Sequence, residues 1–281
     1  MTLYLGIDGG GTGCRAAVAD ADGVVLGEGA GGAANVFSDP EGARASVVAA
    51  AEAALAASGA GARLGELVAA LGLAGANVRG RAEQLAEGLP FARARVVSDA
   101  LISARGALGA SDGVIAAMGT GSVFAAQRGG AVRTIGGWGF LLGDQASGAR
   151  LGRSLCEAAL LAHDGLAPGS KLLAAVVAEA GGPEELVAWA RGARPADFAA
   201  FAPRMIAATD DDGAAGILDA AVADAAAAID LLLAPGPGAV CFLGGLGPYY
   251  ADRLATRYGA LVRPARGSAL DGALALAREL A

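Results

Sequence analysis

Two glycine-rich turns, the first opened by an aspartate, are the parts of this chain whose residue types and spacing suit chemistry. One lies in DGGGTGCRA (8–16) and the other in AMGTGSV (117–123). In each, an apolar run precedes the glycines and an alternating run follows, so each turn is read as the tip of a hairpin between two strands. Glycine lets backbone N–H groups at such a tip approach a phosphate closely, and Thr12 or Ser122 adds a hydroxyl donor. A Rossmann loop would be followed by a helix, and a Walker loop needs a lysine, whereas Lys171 is the chain's single lysine. Either turn alone is equally a plain tight hairpin; two in like positions favour phosphate binding. Asp8 ends the first apolar run at the mouth of its turn. A carboxylate beside phosphate is costly unless Mg²⁺ and its waters lie between them, so Asp8 is the candidate metal residue, with capping of its own turn as the alternative.

Other chemistries fare worse. The single histidine, His163 in LLAHDGL, excludes multi-histidine metal sites and reads as a helix C-terminus. Cys14, Cys156 and Cys241 are too scattered for a disulfide framework or a zinc ribbon and read as buried free thiols. A net charge of −7 argues against a nucleic-acid partner. Hydrophobic residues make up 54% of the 281 and charged ones 17%, which excludes wholesale disorder. Mean hydropathy is +0.50, but alanine inflates it, and no apolar stretch reaches the ~18–20 uninterrupted residues of a spanning helix. MTLYLGID lacks the basic and apolar regions of a signal peptide. The expectation is a soluble cytoplasmic protein without a membrane partner.

The elements that must position these turns follow a repeated order. LYLGID (3–8), RAAVAD (15–20) and VVLGEG read as a three-stranded meander, and Pro40 opens a helix running to about Ser58. Strand VAALGLAG (68–75), a short helix near 78–87, strand ARVVSD (94–99) and helix ALISARGAL (100–108) complete an α/β pattern. The meander then recurs as GVIAAMG (113–119), VFAAQ and AVRTIGG, about 110 residues further on, which points to internal duplication. Most of 146–234 reads as helix, including PADFAAFAPRMIAA (195–208) as one segment. AVCFLGGLG (239–247) is a last strand, ALVRP (260–264) a short one, and a helix begins near Ser268. The expected domains are an N-terminal lobe, 1–110, with the helix of about 266–281 packed back on it. A C-terminal lobe, 111–265, carries the helical insertion, and a cleft lies between the two. The alanine-rich helices offer apolar area for a homodimer.

Taken together, these segments resemble a known superfamily. DGGGTGCRA is similar to the first phosphate loop of the sugar kinase/heat-shock ATPase/actin superfamily, AMGTGSV to its second, and CFLGGLGPYY (241–250) to its adenosine segment. GGAANVF (31–37), AALGLAGAN (69–77), VVSDA (96–100), GGWGFLLGDQASGARLG (136–152) and ALDGAL (269–274) bring the likeness closest to the amino-sugar kinases of the BadF/BadG/BcrA/BcrD ATPase group, over residues 1 to about 278. The resemblance implies an α/β fold of two ribonuclease-H-like, actin-like ATPase lobes. It implies ATP and Mg²⁺ as cofactors, and transfer of the γ-phosphoryl group to the 6-hydroxyl of glucosamine or N-acetylglucosamine.

Carried over residue by residue, Asp99 matches the catalytic base, positioned where ARVVSD ends. An N-cap of the helix starting at Ala100 is its plain alternative. Asn35, Gly121, Gly137 and Asp144 match sugar-binding positions; Asn35 is otherwise a turn asparagine, and Asp144 otherwise an N-cap. Gly10, Gly11, Thr12, Thr120, Ser122, Gly244, Gly245 and Gly247 match the ATP-binding positions, and Trp138 is either pocket floor or core filler. Val36 and Phe37 stand where N-acetylglucosamine kinases often carry a bulkier aromatic, and the choice leans to glucosamine. Two other functions fit less well. Activators of radical dehydratases carry a cluster-ligating cysteine where this chain has Met118. A sugar-responsive regulator would not need a catalytic base.

Overall fold

The computed structural model describes residues 2–78 and 80–281, and within them two compact units. The first comprises Met1–Asp112, Gln127–Val132 and Pro264–Ala281; the second comprises Gly113–Ala126 and Arg133–Arg263. Among the described residues no helix is long and apolar enough to cross a membrane.

The first unit is built on β1 (Leu3–Gly9), β2 (Cys14–Ala19), β3 (Val25–Gly31), β4 (Leu67–Leu73) and β5 (Arg93–Ser98), in sheet order β3-β2-β1-β4-β5. The meander β1-β2-β3 is antiparallel, whereas β4 and β5 run parallel to β1. The sheet is covered on both faces, so the strands read as nearly continuous apolar runs. Leu3, Leu5 and Ile7 pack toward α1 (Pro40–Ser58), through Val47, Ala50 and Ala54. α2 (Arg81–Glu87) adds Leu85 to that side. The helix expected near 78–87 thus starts at Arg81, and Arg79 lies outside the described residues. Tyr4 points the other way, toward Ile102 of α3 (Asp99–Leu108) and Leu274 of the final helix, as the period of two requires.

A second sheet, ordered β8-β7-β6-β9, is formed by β6 (Gly113–Met118), β7 (Ser122–Arg128), β8 (Ala131–Gly136) and a later strand β9 (Ala239–Leu243), and it lies in the second unit except for the β7–β8 tip, Gln127–Val132. This repeats the first four positions of the other sheet, with β6 and β9 parallel like β1 and β4. Between β8 and β9 come α4 (Gly148–His163), α5 (Lys171–Ala180), α6 (Pro183–Gly192), α7 (Pro195–Ala199), α8 (Ala202–Ala207) and α9 (Asp212–Leu233). The stretch expected as one helix over 195–208 is two, because Pro203 sits in the first turn of α8 and cannot donate to a preceding turn. After β9 come α10 (Gly247–Arg253) and α11 (Ala255–Tyr258). The expected strand at 260–264 is reduced to a single bridge, Val262 with Val240.

The chain closes with α12 (Ala269–Arg278), capped by Ser268, whose hydroxyl accepts from Asp271 N at 3.2 Å. α12 crosses α3 at contact distance: a Cβ at Gly272 would overlap the Ile102 carbonyl, and one at Gly106 the Ser268 carbonyl. Glycine at both places is therefore a packing requirement.

Candidate active site

In the first unit the expected site residues collect at the carboxyl ends of the parallel strands. Asp8 is the penultimate residue of β1, paired in register with Gly72 of β4 on one side and Arg15 of β2 on the other. Arg15 Nη2 donates to Asp8 Oδ2 at 2.7 Å, a pairing that sequence reading missed although oppositely charged residues facing each other across a hairpin could have signalled it. The tip closes with Gly10 N donating to Gly13 O at 2.8 Å. At Gly11 the backbone avoids the left-handed region, and among the described residues no atom lies within 4 Å of where a Cβ would stand. Neither conformation nor packing requires glycine there, and a bare backbone at the tip is open to close approach. Thr12 is exposed at the same tip.

Asn35 reaches this edge through a bridge to Ala74, just past β4. Its Oδ1 accepts from Phe37 N at 3.0 Å and Ser38 N at 3.2 Å, so the side chain does form the turn that was the alternative reading. The amide NH₂ remains the group with which it would donate to a sugar hydroxyl. Asp99 is the first residue of α3. The capping role belongs to its neighbour: Ser98 Oγ accepts from Leu101 N at 3.3 Å, while Asp99 Oδ1 accepts from Ala100 N at 2.8 Å. A half-buried carboxylate at a strand's carboxyl end, with the cap itself supplied by Ser98, suits a base. Among the described residues no group of three or more His, Cys, Asp or Glu could hold a metal. A lone carboxylate beside a phosphate-type turn, as Asp8 provides, instead fits Mg²⁺, which keeps most of its waters and takes the rest of its ligands from phosphates.

The second unit gathers the remaining residues. Gly119 N donates to Gly121 O at 2.9 Å, closing the turn after β6. Beyond β9, Leu246 N donates to Met118 O at 3.0 Å and Gly247 N to Gly244 O at 3.0 Å. The two turns therefore lie side by side at the carboxyl ends of β6 and β9, the usual ligand edge of an α/β sheet. Gly244 is demanded by the fold itself, with φ +80° and a Cβ that would overlap the Met118 carbonyl; at Gly245 the space is open. Ser122 departs from expectation. It is buried, and its hydroxyl donates to Gln145 O at 2.5 Å, so the proton expected to meet phosphate holds another loop instead.

That loop carries Asp144, which is 9% exposed and left-handed at φ 57°. Its Oδ1 accepts from Gly139 N at 3.2 Å, and Ser122 N–H also donates to it. Burial nevertheless outweighs these donors and pushes its carboxyl above the ordinary aspartate range. The N-cap of α4 is Ser147, whose Oγ accepts from Arg150 N at 3.1 Å, so capping does not explain Asp144. A Cβ at Gly121 would stand 3.0 Å from Asp144 Oδ2, which places the glycine turn directly against this carboxylate. Gly137, at φ 70°, starts the same loop. Trp138 is 76% exposed, which removes the core-filler reading. The ring that anchors the loop is Phe140, 5.1 Å from Phe198 and with Arg153 at 6.0 Å over its face.

The meander sheet, repeated in each unit with a glycine turn after its first strand, is the construction of ribonuclease-H-like, actin-like ATPase lobes. The chain belongs to the BadF/BadG/BcrA/BcrD ATPase family, whose model matches residues 5–248. It is 32% identical to the glucosamine kinase GspK of Vibrio cholerae, over 99% of this chain and 96% of that protein. The crystal structure of a "Putative N-acetylglucosamine Kinase" from Chromobacterium violaceum superposes with a TM-score of 0.89 at 34% identity, covering 99% of both chains. A ROK family glucokinase from Streptomyces griseus, solved with glucose and AMPPNP, shares the fold at a TM-score of 0.61 and 18% identity over 99% of both chains.

Proposed function

We propose that this protein is an ATP-dependent amino-sugar kinase that moves the γ-phosphoryl group of ATP to the 6-hydroxyl of glucosamine or N-acetylglucosamine, with glucosamine preferred. The observation that carries the reading is the full-length similarity to a glucosamine kinase. In this reading Asp99 takes the proton from the sugar hydroxyl as that oxygen bonds to the γ-phosphorus and the bond to ADP breaks. Asn35, Gly121, Gly137 and Asp144 hold the sugar. Gly10, Gly11, Thr12 and Thr120 lie against the phosphates, and Gly244, Gly245 and Gly247 against the nucleoside. Ser122 supports the Asp144 loop from behind. Mg²⁺, when bound, neutralises phosphate charge, and Asp8 is the residue that would hold it, through water. Binding through backbone N–H groups and one carboxylate suits a reaction whose demand is positioning and charge compensation. The same reading takes the enzyme as cytoplasmic, where Mg-ATP is abundant, and as a homodimer, which light scattering reads directly.

A coupled ADP-release assay with Mg-ATP tests it, comparing glucosamine, N-acetylglucosamine, glucose and N-acetylmannosamine. Release that depends on an amino sugar, with the largest kcat/KM for glucosamine, is the expected result. Release that ignores every sugar would make the protein an ATPase or activator. A folded protein that binds sugar without turnover would be a regulator.

A further inference from the structure

The segment Asp144–Ala146 is pinned more tightly than its own turn requires. Asp144 and Ala146 both sit in the left-handed region, at φ 57° and 66°, where side-chain-bearing residues are uncommon and persist only when their surroundings over-determine them. Three successive carbonyls supply that determination. Asp144 O accepts from Ser147 N at 3.1 Å, Gln145 O from Ser122 Oγ at 2.5 Å, and Ala146 O from Tyr250 Oη at 2.7 Å. Two of these donors are near at hand, in the α4 cap and beside the Gly119–Gly121 turn. Tyr250 is not: it lies on α10, whose first residue, Gly247, closes the turn that begins at Gly244.

Tyr250 is fully buried, and burial pushes its hydroxyl above the ordinary tyrosine range, so it remains a donor at any working pH. Its ring fills core in the second unit, but ring packing does not require a hydroxyl. The hydroxyl gives the Gly244–Gly247 turn a direct link, one short helix long, to the backbone two residues from the Asp144 carboxylate.

We propose that Tyr250 is a positioning residue that couples nucleotide occupancy of the Gly244–Gly247 turn to the setting of the Asp144 carboxylate, through its hydrogen bond to the Ala146 carbonyl. This rests on the amino-sugar kinase reading and adds to it a pathway between the two substrates. A nucleotide lying against Gly245 fixes the start of α10; α10 fixes Tyr250; Tyr250 holds Ala146, and so Asp144, in the left-handed arrangement. Coupling of this kind is reciprocal, so the sugar strengthens nucleotide binding by the same factor.

The test is calorimetric titration of glucosamine and N-acetylglucosamine into the full chain, wild type and Tyr250→Phe, with and without Mg-AMPPNP. Wild type is expected to bind sugar more tightly when the nucleotide analogue is present. Tyr250→Phe keeps the ring and the fold, and is expected to lose about fivefold of that gain, the effect of one buried neutral hydrogen bond. Its sugar affinity without nucleotide should change less than its affinity with nucleotide. At saturating ATP the sugar KM should rise more than kcat falls. A merely structural hydroxyl would lower Tm and leave the coupling factor alone, so an unchanged factor in Tyr250→Phe overturns the proposal. If that variant does not fold, Ala146→Gly relaxes the left-handed backbone while keeping the acceptor, and an unchanged factor there overturns it equally. Wild type that phosphorylates sugar but shows no coupling sinks this inference and leaves the kinase reading intact. Wild type that binds neither sugar sinks the kinase reading, and this inference with it.

Discussion

Asp144 carries an electrostatic cost that its neighbours only partly offset. Because burial raises its pKa above the value in the unfolded chain, the folded protein binds this proton more tightly. Below the ordinary aspartate range both states are protonated and the group is neutral to stability. As pH rises from there through the raised pKa, ionisation is easier in the unfolded chain and stability falls, leaving a constant deficit above it. Asp144→Asn removes the deficit, and asparagine tolerates the left-handed backbone. The variant is therefore expected to gain Tm over wild type at pH 7 but hardly at pH 3.5, while losing sugar affinity; melts at the two pH values decide it, and equal shifts would contradict the burial argument. Asp99→Asn is expected to keep fold and sugar binding and lose about 10²–10⁴-fold in kcat. Near-wild-type turnover would pass the base role to Asp144. At this scale the sequence displays residue types but not their partners. Ser122 and Thr120 look alike as hydroxyls beside glycine, and only the structure turns Ser122 inward to Gln145. Likewise Ser98 and Ser147, one and three residues from Asp99 and Asp144, take the caps for which an aspartate is an equally good residue type.

Between elements, glycine decides how closely backbones pass. The α3–α12 crossing depends on Gly106 and Gly272, and Gly272→Ala should destabilise by about 2–3 kcal/mol, because its methyl meets backbone that cannot rotate away. Urea midpoints measure the loss, and early proteolysis at α12 would locate it. An unchanged midpoint would mean that the two helices can part without cost. The meanders and long helices are legible because their apolar periods persist over many residues. Pro203 announces a break in 195–208, but whether a proline ends a helix or merely opens its first turn depends on where the preceding turn closes. The weak 260–264 segment fails as a strand because its pairing amounts to one bridge.

Across the whole molecule, the three cysteines report on burial. All are buried, and burial pushes the Cys14 thiol up to about 12 and the Cys156 thiol up to about 11. Native protein at pH 8 is expected to be inert to a thiol reagent such as DTNB, and to release three equivalents once denatured. Rapid reaction of the native chain would show that these cores open readily. By itself, the sequence determined the α/β class, the duplicated meander, the family and the two glycine turns, because hydrophobic period and glycine spacing are local properties written along the chain. Only the tertiary structure decided that Phe140 anchors the loop from which Trp138 projects, and that Tyr250 holds the carbonyl of Ala146 more than a hundred residues earlier. Hydrogen bonds, burial and backbone strain are relations between segments distant in the chain, and no spacing along a single sequence encodes them.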